Sequence, residues 1–157
     1  MTKVAAVILA GGSGKRMGGA LPKQFLELEG KPILQHTLEC FNHAEIIDEI
    51  YVVLPEAYIK PYEQKLHQQW GITKTKGVVC GGGERHQSVW AGITALPESI
   101  DIVMIHDGVR PFVSERILVD SVHAAKQYGA AVVGLMPRDT IKLFEHDKVE
   151  RTIDRNK

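Results

Sequence analysis

The chain has 157 residues, in which 19 Lys and Arg balance 19 Asp and Glu, with 44% hydrophobic and 24% charged residues. That length predicts one domain, or one domain cut short, and the composition is that of a globular chain with a real core. Zero net charge excludes a field that would draw the chain to nucleic acid or a membrane surface. Cys40 and Cys80 have no C-x-x-C partner, which excludes a disulfide scaffold or a zinc site.

Val4 to Ala10 is an apolar run of seven residues that leads straight into Gly11-Gly12-Ser13-Gly14-Lys15-Arg16. It reads as a buried first strand and is too short for a signal peptide. No run approaches the roughly eighteen apolar residues of a membrane span, so a cytoplasmic protein is expected. Further strands are expected at 50–54, 78–80, 102–105 and 131–135. Several are continuous apolar runs, as in parallel strands covered by helices on both faces.

Between the strands, Pro32 opens a helix whose Ile33, Leu34, Thr37, Leu38 and Phe41 fall on one face. Tyr58, Tyr62, Leu66 and Trp70 form a stripe four residues apart, with regular helix expected only from Pro61. Ser114 is the expected N-cap of a helix that ends at Tyr128, followed by Gly129 at the C-terminal cap. From Asp139 the pattern changes: 140–144 and 149–153 are β-rich around a turn at His146-Asp147-Lys148. A hairpin this polar is marginal alone, so it should pack on something else. The predicted organisation is a three-layer, Rossmann-like α/β domain over 1–138, with a mostly parallel sheet, and a projecting β-arm over 139–157.

In a doubly wound sheet, ligands sit at the carboxyl ends of the strands, where Ala10 to Gly18 follows the first strand. Glycines there let successive backbone N–H groups approach an anion. The loop is not a P-loop, because Arg16 follows Lys15 where Ser or Thr is required, nor a dinucleotide fingerprint, because Met17 replaces its last glycine. Lys15, Arg16 and Lys23 put three cations beside the turn, a charge pattern suited to a triphosphate and to stabilising an attacked phosphorus.

These residues carry a resemblance. Ala-Gly-Gly-Ser-Gly-Lys-Arg-Met-Gly-Gly-Ala-Leu-Pro-Lys-Gln-Phe, at 10–25, resembles the N-terminal signature of nucleotidyltransferases that activate sugar or polyol phosphates. Gly81-Gly82-Gly83-Glu84-Arg85-His86-Gln87-Ser88-Val89 resembles the second signature of one branch, and His106-Asp107-Gly108-Val109-Arg110-Pro111 the third. Asp139-Thr140-Ile141-Lys142 and Thr152-Ile153-Asp154-Arg155 complete a pattern similar to the 2-C-methyl-D-erythritol 4-phosphate cytidylyltransferase family. The resemblance implies CTP on Ala10, Gly11, Gly12, Gly14, Gly82, Gly83 and Ser88, with Arg16, Lys23 and Arg155 in catalytic roles. It further implies the second substrate on Asp107, Arg110 and Thr140, and a homodimer whose arms interlock. It also implies a protein that continues well beyond residue 157.

Read from the residues themselves, Gly81 to Gly83 offers backbone donors and acceptors to a flat base, with Ser88 either adding a hydroxyl contact or merely capping a helix. Asp107 at a strand end suits Mg2+, which is held by one or two carboxylates plus substrate phosphates. Arg110, ahead of Pro111, suits a phosphate of the second substrate. His106 is assigned to strand packing or to a supporting place behind the site rather than to direct catalysis. Gly108 and Val109 stand where many relatives carry two alanines, and the valine resembles the ribitol-5-phosphate cytidylyltransferases. That enzyme and a nucleotide-binding module without turnover are the alternatives.

Overall fold

The structure is a computed structural model in which residues 2–12 and 21–154 are described. Six-residue β1 (Val4–Leu9) carries no polar side chain and lies at the sheet centre, beside β4 (Glu49–Leu54) and β6 (Ile102–Asp107). With β5 (Thr75–Cys80) outside β4, the order is β5-β4-β1-β6 and every pairing is parallel. Alternation along β1 divides the core between the two faces. Val4, Ala6 and Ile8 pack in one cluster with Leu34, Leu38 and Phe41 of α1 (Ile33–His43), Leu66 of α2 (Glu56–Gln68), and Leu118 and Val122 of α4 (Glu115–Tyr128). Ala5 and Val7 pack in the other with Tyr51 and Val53. On this face α3 (Arg85–Thr94) comes so close that a Cβ on Gly92 would lie 2.3 Å from Val7 Cγ1. The result is the three-layer α/β fold expected from the sequence.

Local signals explain most boundaries. Pro32, with its fixed φ, is the N-cap of α1 and also closes the short β2 (Glu27–Leu28) and β3 (Lys31–Pro32) pair. Ser114 accepts from the Ile117 N–H at 3.4 Å, and Gly129 closes α4 at φ +84°. Helix α2 begins at Glu56, five residues ahead of the expected start at Pro61. Proline removes one intrahelical hydrogen bond, but the aromatic stripe offsets that loss. Phe25 stacks on Tyr58 at 4.3 Å and meets Tyr62 at 4.5 Å, and Tyr62 meets Trp70 edge-on at 5.4 Å.

The expected strand at 131–135 does not form: residues 130–138 pair with no strand among the described residues. Val132 and Leu135 are each 97% exposed. This stretch faces β6 across an open groove of about 1800 Å³ that Val103, Ile105, Leu118 and Val122 also line. A strand requires a hydrogen-bonded neighbour as well as an apolar sequence, and none is within its ladder here. Beyond it, β7 (Lys142–Glu145) and β8 (Lys148–Thr152) form a separate antiparallel hairpin. Its turn is the two residues His146 and Asp147, both at positive φ, with Lys148 already in β8. That is the backbone a tight two-residue hairpin needs. Among the described residues, no helix is long and apolar enough to cross a membrane.

Candidate active site

The carboxyl ends of β1, β5 and β6 deliver three loops to one side of the sheet. Gly11, after β1, and Gly81, after β5, meet above the end of β4. A Cβ on Gly81 would lie 3.0 Å from Ser88 Oγ, 3.2 Å from Val53 Cγ1 and 3.3 Å from Gly11 Cα. Bare backbone is therefore what lets the two loops touch. Ser88 is 6% exposed and works beneath this contact, its Oγ accepting from the Gly82 N–H at 3.2 Å. It does not cap α3: Glu84 is the N-cap, in a capping box with Gln87. Ser88 thus holds the glycine loop in shape from inside.

Gln24 does the same for the first loop. It is 3% exposed, and its Nε2 donates to the Ala10 carbonyl at 2.7 Å and the Gly12 carbonyl at 2.9 Å. The Ala10 N–H donates to the Val53 carbonyl at 2.8 Å. Two carbonyls in the loop are therefore occupied. This role for Gln24 is not legible in the sequence beyond its place in the first motif, because both of its partners lie more than ten residues away. Lys23, one residue earlier, opens the 3-10 turn Lys23–Phe25 with its side chain exposed.

The third loop is anchored by α1. Thr37 Oγ1, fully buried, donates to the Gly108 carbonyl at 2.9 Å, and Cys40 Sγ contacts the Pro111 carbonyl at 3.4 Å. Asp107 ends β6 with each carboxylate oxygen taken by a different arginine. Arg85 approaches Oδ1 through Nε at 3.3 Å and Nη2 at 3.0 Å, and Arg110 Nε donates to Oδ2 at 3.0 Å. Burial alone would raise the Asp107 pKa, but the Arg85 and Arg110 guanidiniums outweigh it and hold the carboxyl below its ordinary value. Burial pushes the neighbouring His106 imidazole down, and its ring packs on Phe41 at 4.9 Å. His106 thus packs against the α1 side of the core, one of the two places expected for it.

Glycine loops thus lie at two strand ends and two arginines at a third. Residues 4–157 match the family model of 2-C-methyl-D-erythritol 4-phosphate cytidylyltransferase. The chain belongs to that family. Among relatives of that name, the protein of Geotalea uraniireducens is 48% identical over 145 residues, covering 91% of this chain and 62% of the relative. That of Syntrophus aciditrophicus is 40% identical over 156 residues, covering 99% and 67%. The crystal structure of 4-diphosphocytidyl-2C-methyl-D-erythritol synthase from Anaerococcus prevotii superposes with a TM-score of 0.85 at 28% identity, covering 99% of this chain and 65% of that one. The chain thus spans somewhat under two thirds of the length of several relatives.

Of the cytidylyltransferase residues carried over from the motifs, Ala10, Gly11, Gly12, Gly82, Gly83 and Ser88 lie on the two touching loops, and Lys23 lies next to the Gln24 that braces one of them. Asp107 and Arg110 are joined on the third loop. Thr140 is exposed ahead of the hairpin, and among the described residues no hydrogen bond ties it to these loops. Gly14, Arg16 and Arg155 lie outside the described residues. Arg85 links the second loop to the third, a contact across 22 residues that its place in the second motif does not reveal.

Proposed function

We propose that this chain carries the cytidylyl-transfer site of its family, joining CTP to 2-C-methyl-D-erythritol 4-phosphate with release of pyrophosphate. The observation that carries this reading is the contact of the Gly11 and Gly81 loops over β4, with the Asp107–Arg110 loop at the adjacent edge. The first two offer backbone to a base and a triphosphate, and the third offers charge to a phosphate monoester.

The chemistry requires no general base. The second pKa of a phosphate monoester is near 6, so the attacking oxygen is already largely deprotonated at neutral pH. It attacks the α-phosphorus in line, and the β- and γ-phosphates leave together as pyrophosphate. Lys23 and Arg16 supply positive charge where the five-coordinate phosphorus gathers negative charge, Arg155 positions the monoester, and Thr140 contributes to its binding. Asp107 is a poor fit to the Mg2+ expected there, because both its oxygens are taken by Arg85 and Arg110 and its surroundings carry excess positive charge; the phosphates of the nucleotide are the better ligands. When bound, the ion would neutralise charge on the triphosphate. The exposed apolar faces of 131–136 and of the hairpin support a homodimer through the arm. A cytoplasmic location accords with the chemistry of both substrates.

A pyrophosphate-release assay with CTP, run in parallel with methylerythritol phosphate and ribitol 5-phosphate, tests the reading. Turnover with the first and little with the second is the expected result. Preference for ribitol phosphate, which Val109 favours, would transfer the assignment to that enzyme, and CTP binding without turnover on either would reduce the chain to a binding module.

A further inference from the structure

We propose that Arg85 is the second jaw of a phosphate clamp, paired with Arg110 and held open by Asp107, that grips the phosphate monoester of the second substrate. This deepens the reading above and rests on it for the identity of that substrate. Three observations carry it.

Arg85 is the first residue of α3, directly beyond the glycine loop, yet its guanidinium reaches across to the end of β6. Ion-pairing for stability does not account for that reach. The Arg85 and Arg110 side chains are 64% and 73% exposed, and solvent-exposed ion pairs contribute little. Charge does account for it. One carboxylate between two guanidiniums leaves an excess positive charge, and the two cations repel each other until an anion arrives.

Donor geometry agrees. Each guanidinium has five N–H donors in a fixed plane, and Asp107 engages only the Nε and Nη2 of Arg85 and the Nε of Arg110. Most donors on both remain unspent, in planes set by the same carboxylate, which suits multidentate capture of a phosphate. All three residues line the open groove along β6.

Position selects the monoester over the nucleotide. The glycine loops meet over β4, whereas Asp107 and Arg110 follow β6, at the opposite side of β1 from β4. A phosphate in the clamp would lie next to a nucleotide on the loops, the relation that in-line transfer requires.

The test uses the intact chain, isotope-labelled, with a chelator present, and follows arginine Nε–H resonances during titration with methylerythritol phosphate and, separately, inorganic phosphate. The Arg85 and Arg110 signals should shift together and saturate with one dissociation constant. Arg85→Met should weaken both ligands about tenfold, Arg85→Lys should restore part of the loss, and CTP affinity and thermal midpoint should stay within a twofold change and a degree or so. Unchanged phosphate affinity in Arg85→Met, or an Arg85 signal that ignores both ligands at saturation, overturns the clamp. An equal loss of CTP affinity overturns the assignment to the monoester. Binding of inorganic phosphate but not methylerythritol phosphate would leave the clamp standing while removing the proposed substrate.

Discussion

Val52-Val53-Leu54 and Val132-Val133-Gly134-Leu135 are nearly the same apolar string, with opposite fates. The first three side chains are fully buried in β4, while Val132, Val133 and Leu135 are 97%, 63% and 97% exposed. Burial of β4 follows from its neighbours: β1 on one edge, β5 on the other, and helices over both faces. The 131–135 stretch has helix α4 before it and an open groove beside it, with no strand paired to its backbone among the described residues. An apolar run thus encodes a demand for burial, and the surrounding topology determines whether the demand is met.

The sharpest way to break this contrast is at single side chains. Phe41→Ala removes a fully buried ring from the α1–sheet core and should cost about 3–5 kcal/mol, whereas Leu135→Ala should stay within about 0.5 kcal/mol in the monomer. Chemical denaturation of both variants at low protein concentration provides the measurement. A large cost for Leu135→Ala would mean that the stretch is already buried in solution, against the exposure described above.

Function should divide along the same line. Lys23→Ala, on the packed side, should lower kcat about 10²- to 10³-fold with little effect on CTP affinity, since its charge matters most at the five-coordinate phosphorus. Arg16→Ala should behave alike. Steady-state kinetics beside calorimetric CTP titration separates the two effects, and turnover within a few-fold of the parent would remove Lys23 from its role.

Deletion from Asp139 onward probes the exposed region as a unit. The remaining domain should still bind CTP, because both glycine loops and their Ser88 and Gln24 supports precede residue 139. If the arm makes the proposed subunit contact, light scattering should report a dimer for the intact chain and a monomer after the deletion. A dimer that survives deletion places the subunit contact elsewhere.

The smallest effect concerns Asp107. Its folded-state pKa is depressed, so the stabilisation from its two arginine contacts is present above the unfolded-state value and is lost as pH falls through the folded one. A carbon-detected titration of the Asp107 carboxyl should therefore give a midpoint below the ordinary 3.8, rising toward it in Arg85→Met. A midpoint at or above the ordinary value would show that the arginine contacts do not persist in solution.

Sequence alone determined what is local or periodic. Charge-free β1, the α1 stripe, Ser114 and Gly129 around α4, and the hairpin at 142–152 were legible because each depends on residues within a few turns of one another. The glycine loops at the strand ends were legible for the same reason, since glycines cluster where the backbone must come close. Tertiary structure alone decided the long-range relations. Ser88 proved to be a buried brace for Gly82, Gln24 proved to bind two loop carbonyls, and α2 kept Pro61 because Phe25, over thirty residues earlier, supplies its aromatic contacts. Arg85 meets Asp107 across 22 residues, and 131–135 remains outside the sheet despite a strand-like composition. The physical reason is common to all of these: propensity and periodicity act along the chain, whereas hydrogen-bond pairing and burial depend on partners that only the folded arrangement brings within reach.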